Sequence, residues 1–61
     1  MKMYTEYWLE MKSREDFWEP IDKATSHRQL VEKYKEKKKQ DPKSSLRGLR
    51  VQWEILDLEG S

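Results

Sequence analysis

Leu49-Arg50-Val51-Gln52-Trp53-Glu54-Ile55 alternates without a break, apolar at every odd position and polar at every even one. A period of two over this length marks a strand with two chemically different faces. Reading back from it, Asp41 to Gly48 holds Pro42, two serines and a glycine, the composition of a loop. Before the loop, His27, Leu30, Val31 and Tyr34 recur at helical spacing and form a narrow apolar stripe. Ser26 with Gln29 three residues on fits a capping box at the helix start. Asp41-Pro42 predicts the stop, because the residue before a proline disfavours the α region. The last strand therefore follows a helix, and the sheet it joins must come from the first part of the chain.

That part supplies two more strands. Met3, Thr5, Tyr7, Leu9 and Met11 alternate with Tyr4, Glu6, Trp8 and Glu10, a strand-rich composition. A polar cluster, Lys12 to Asp16, separates this run from Phe17-Trp18-Glu19-Pro20-Ile21, and the two read as a hairpin. Keeping apolar groups on one face pairs Met11 with Phe17 and Tyr7 with Ile21, and sets Glu10 opposite Trp18 and Trp8 opposite Pro20. Pro20 cannot donate to a ladder, so its strand belongs at an edge. The expected fold is α+β, a ββαβ chain with a three-stranded antiparallel sheet in the order 2-1-3 packed on one helix. Its strands span about 3–11, 17–21 and 49–58, its helix about 26–40, and residues 1–61 form a single small domain. A last strand lying parallel to the second would instead need a right-handed crossover, and Pro20 makes that edge less welcoming.

With 61 residues and no cysteine, the chain has neither a disulfide nor a thiolate metal site to reinforce its core. A single core of this size supplies at most roughly 3–5 kcal/mol. A charged fraction of 41% and a mean hydropathy of −1.22 lean toward disorder. Three Trp, three Tyr and one Phe lean the other way, since each buried aromatic removes a large apolar area from water. No apolar run is long enough to span a bilayer, which argues for a soluble protein without a membrane partner.

Charge is distributed unevenly. Residues 1–24 carry four Lys/Arg against six Asp/Glu, residues 25–50 nine against three, and residues 51–61 none against three, so a net charge of +1 conceals a dipolar molecule. The helix dipole and local i,i+3 pairs account for part of the basic middle. More cation is present than these need, and Lys35, Lys37, Lys38, Lys39, Lys43, Arg47 and Arg50 together form a candidate electropositive stripe for an acidic protein or a nucleic acid. A second candidate surface is the sheet face away from the helix. If odd positions face the helix, then Tyr4, Trp8, Trp18, Pro20, Arg50, Gln52, Leu56 and Leu58 lie on the open face, with Tyr4, Trp8 and Trp18 as its aromatic contacts.

Catalysis has little to work with. His27 is the sole histidine and sits in the first helical turn, where the dipole disfavours its charged form. Glu15 with Asp16, and Glu6 with Glu10, lack a base, nucleophile or metal partner at suitable spacing, and no glycine-rich phosphate loop exists. The reading is a non-enzyme without cofactor.

The layout resembles the small ββαβ accessory proteins of bacteriophages and other mobile elements, a group that includes an inhibitor of host RNA polymerase. The features that carry the resemblance are the aromatic first strand (Tyr4, Tyr7, Trp8), the Trp18-Glu19-Pro20-Ile21 second strand, the Thr25-Ser26 helix start and the Val51-Gln52-Trp53-Glu54-Ile55 last strand. It rests on architecture and turn chemistry and carries over no functional residue. It implies binding and modulation of a host protein, acidic or associated with nucleic acid, in a bacterial cytoplasm. Direct nucleic-acid binding through the lysine-rich helix end is the alternative, and a self-associating structural protein, as a homodimer, is a third.

Overall fold

The computed structural model describes residues 2–59. Strand β1 runs over Lys2–Lys12, β2 over Trp18–Ala24, helix α1 over His27–Gln40 and β3 over Leu46–Ile55. The sheet is antiparallel throughout, in the order β2-β1-β3, with the helix on one face. Topology and fold class are those expected from the alternation and the helix signals. The element ends differ: β2 begins one residue later and runs on to Ala24, and β3 begins at Leu46 and stops at Ile55 rather than 58.

Turn chemistry explains the first of these differences. The Ser13 N–H donates to the Phe17 carbonyl at 2.7 Å, and the Ser13 hydroxyl accepts from the N–H groups of Glu15 and Phe17. Asp16 takes the left-handed conformation at φ 70°, a geometry that Asp tolerates better than most side chains. Phe17 is thus consumed by the turn and left exposed, and Trp18 pairs with Lys12. The expected register is displaced by two residues: Glu10 pairs with Pro20 and Met11 with Glu19. Beyond Pro20 an extra residue intervenes, because Leu9 pairs with Asp22 and Tyr7 with Ala24. This bulge at Ile21 restores the parity that lets Ala24 turn inward.

At the helix start the Ser26 hydroxyl accepts from the Gln29 N–H at 3.1 Å. The return contact goes one residue further back than the usual box, with the Thr25 N–H donating to Gln29 Oε1 at 2.7 Å. At the other end the Asp41 N–H donates to the Lys37 carbonyl, and Ser44 closes the loop onto the Asp41 carbonyl.

The core is very small. Leu9, Ala24 and Leu30 are its buried apolar residues, with Tyr7 and Leu46 packed against them. Leu30 reaches the sheet above Gly48, which lies opposite Leu9; a Cβ at Gly48 would stand 2.8 Å from the Leu30 Cδ2 methyl. The glycine is therefore a spacing device between helix and sheet.

Asp22, turned toward the helix by the bulge, accepts from Lys33 Nζ at 3.0 Å and from the Lys23 N–H at 2.8 Å. These bonds, Lys33 foremost, hold its carboxyl below the usual carboxylate range. Because the folded value is depressed, the contribution is present above the unfolded pKa of about 3.9 and is lost as pH falls through the folded value. Both partners are partly exposed, so Asp22→Asn should cost under about 1 kcal/mol at neutral pH. Urea titrations at neutral and acidic pH should show this difference shrinking as pH is lowered.

Gly48→Ala should destabilise the fold by about 1–3 kcal/mol through overpacking, and Leu30→Ala by about 2–5 kcal/mol. In the double variant the Gly48→Ala penalty should disappear. Simple additivity of the two unfolding free energies would show that the close approach does not limit the packing.

Candidate functional site

The register of β3 against β1 decides what the uncovered face displays. Tyr4 lies opposite Trp53, Glu6 opposite Val51, Trp8 opposite Leu49 and Glu10 opposite Arg47. Directly opposed residues share a face, so even positions of β1 stand with odd positions of β3. The expected open-face placement of Tyr4, Trp8, Trp18 and Pro20 agrees with this register. Arg50 and Gln52 are corrections: they lie on the helix side, opposite Tyr7 and Thr5. Leu56 and Leu58 fall beyond the end of β3 and are exposed. In their place the open face gains Leu49, Val51, Trp53 and Ile55, which sequence reasoning had not put there. A signal for them existed. The helix stripe is too narrow to cover two apolar rows, so one row had to remain without a lid.

Three clusters occupy the face. In the middle, the Trp8 and Trp53 rings lie 6.4 Å apart at 37°, within the range of favourable aromatic pairs. Lys23 Nζ sits 5.2 Å over the Trp8 ring and 3.4 Å from Glu6. The Trp8 Nε1–H is buried with no acceptor among the described residues. At the hairpin end, the Arg47 guanidinium stacks 4.4 Å over Trp18. It donates to one oxygen of Glu10 from Nη2 at 2.7 Å and from Nε at 2.8 Å. Glu10 is buried, so its charge is held by this fork and by little water. At the far end, Tyr4, Trp53 and Ile55 are all at least 41% exposed. There β1 and β3 continue as a two-stranded ribbon, since β2 stops at Ala24, opposite Tyr7.

Trp8 and Trp18 therefore do not form one aromatic pair. Trp18 stands opposite Lys12, four ladder pairs along from Trp8, with Glu10 and Pro20 between them on the same face. Trp8 has Trp53 as its aromatic neighbour instead.

The candidate basic stripe is divided. Lys38 is partly buried and donates to the Pro42 and Ser44 carbonyls, fastening the loop after the helix. Lys37 is partly buried and lines an open groove that Asp22, Glu32 and Glu36 also line. Arg47 serves the open face, whereas Arg50 lines a groove on the helix side with Tyr7, His27, Leu30, Val31 and Tyr34. Lys35, Lys39 and Lys43 are exposed and make no ion pair among the described residues. The seven cations thus occupy opposite faces and the loop between them. No described helix is long and apolar enough to cross a membrane.

No protein family, curated protein or solved structure matches this chain.

Arg47→Ala strips a sheltered carboxylate of its partner and should cost about 2–3 kcal/mol, less than a fully buried pair because Arg47 is itself half-exposed. Glu10→Gln combined with Arg47→Met keeps the packing on Trp18 and should recover most of that loss. Urea midpoints followed by tryptophan fluorescence give the comparison; an Arg47→Ala midpoint equal to wild type would show that the pair contributes nothing.

Proposed function

We propose that the protein is a non-catalytic binding module that docks on a protein partner through the open sheet face. The observation that carries this reading is the run of Tyr4, Trp8, Leu49, Val51, Trp53 and Ile55 across a face that no described element covers. Contiguous apolar surface of this kind on a small chain marks an interaction site. The electrostatics favour protein over nucleic acid. A single-strand platform needs an electropositive groove beside its stacking rings. Here Arg47 is matched by Glu10, Lys23 by Glu6, and Lys12 by Asp16. The aromatic face thus has little net charge with which to attract phosphates. Tyr4 and Trp53 are the anchors, being large, rigid and accessible. The architectural resemblance to phage accessory proteins directs the reading to a host protein in a bacterial cytoplasm.

Lys35, Lys39 and Lys43 favour a second reading, in which the exposed cations of the helix end and loop hold nucleic acid. The two readings separate by mutation. A partner cross-linked from bacterial lysate should be lost with Tyr4→Lys or Trp53→Lys and retained when Lys35, Lys39 and Lys43 are all changed to Glu. Retention of that partner by both aromatic variants would overturn the sheet-face reading. Binding of labelled DNA that weakens steeply with salt and vanishes on the lysine reversal would favour the second reading.

A further inference from the structure

We propose that the free edge of β3 pairs antiparallel with β3 of a second copy of this chain, about a twofold axis at Gln52, joining two three-stranded sheets into one of six strands. The two edges of the sheet are unlike. On the β2 side, Pro20 removes a donor and the bulge at Ile21 interrupts the ladder, both devices that discourage pairing. On the β3 side, Leu46–Ile55 offers ten residues with no proline and no break in register against β1. A long regular edge of this kind is a template for another strand.

Hydrogen-bond phase fixes which residues face outward. Lys12 N–H donates to the Ser45 carbonyl at 2.9 Å, continuing the β1–β3 register by one pair. Odd residues of β3 therefore exchange bonds with β1. By the alternation of antiparallel ladders, Leu46, Gly48, Arg50, Gln52 and Glu54 direct their N–H and C=O groups to the free edge. No described strand receives them.

The side chains choose the register. With the axis at Gln52, Arg50 of each copy stands opposite Glu54 of the other, and the arrangement occurs twice. On the open face the same register sets Val51 opposite Trp53 and Leu49 opposite Ile55 of the second copy. Opposite charges and aromatic–aliphatic pairs directly across a ladder each stabilise it. Moving the axis to Arg50 opposes two arginines; moving it to Val51 or Trp53 forfeits both ion pairs. The sequence is self-complementary about Gln52, which is what a twofold interface requires.

The helix side is compatible. An axis normal to the sheet keeps both helices on one face. The groove between α1 and β3, lined by Val31, Tyr34, Gly48 and Arg50, lies on that face, and the register sets Arg50 at its rim opposite Glu54 of the second copy. The open aromatic faces of the two copies merge into one continuous surface, so this pairing is separate from partner docking and leaves it unobstructed.

Sedimentation equilibrium of the full chain over a wide concentration range tests the idea, with circular dichroism confirming that each variant folds. Wild type should dimerise. Arg50→Glu alone and Glu54→Arg alone should each raise the dissociation constant at least about tenfold, and the double exchange should restore it. Gln52→Pro removes two outward donors at the axis without touching the β1 ladder, and should give a monomer. Hydrogen exchange at the Arg50, Gln52 and Glu54 amides should slow as concentration rises. A strict monomer at all concentrations, or a dimer indifferent to both single reversals and to Gln52→Pro, would overturn the proposal.

Discussion

Leu9 of β1 lies opposite Gly48 of β3, and Leu30 of the helix occupies the space that the glycine leaves. Both faces of the sheet depend on this contact. It lets a short helix with one buried side chain sit close enough to make a core. It also locks β3 in the register that turns Leu49, Val51, Trp53 and Ile55 away from the helix. A strand cannot slip by one residue without exchanging its faces, so the contact that closes the core also exposes the aromatic surface.

The open face is held in order by side chains that cover one another rather than by a second layer. Arg47 lies on Trp18 and neutralises Glu10; Lys23 lies on Trp8 and meets Glu6. Each ring loses water on one side while the cation keeps its own hydration on the other. The result is a face covered at the hairpin end and bare at the ribbon end, where Tyr4, Trp53 and Ile55 project. The molecule is thin, 50 × 27 × 11 Å, so it has much surface for its volume and little interior. The apolar groups that so small a core has no room to bury are left on the open face.

The element order, the antiparallel 2-1-3 sheet, the Ser26 cap and the stop at Asp41-Pro42 were legible because each rests on local rules: periodicity, capping and proline sterics. Tyr4, Trp8 and Trp18 were legible as open-face residues from the alternation of the first hairpin. Arg50 was misplaced, and Trp53 with its apolar row was missed, for one reason. Alternation shows that β3 has two faces and does not say which one meets the helix. The basic cluster was legible as composition, yet its members serve different ends, Lys38 as a loop fastener and Arg47 as a lid on Trp18.

Sequence by itself therefore determined what the elements are, in what order they come, and that one sheet face would carry tryptophan. Tertiary structure decided the pairing of Gly48 with Leu9, the bulge at Ile21 and the face on which Trp53, Arg47 and Arg50 appear. Those outcomes depend on register, which is set by contacts between residues as distant along the chain as Glu10 and Arg47 or Leu30 and Gly48. No local pattern encodes such a choice, because either parity of β3 satisfies its own alternation equally well, and only the fit against the helix and β1 separates them.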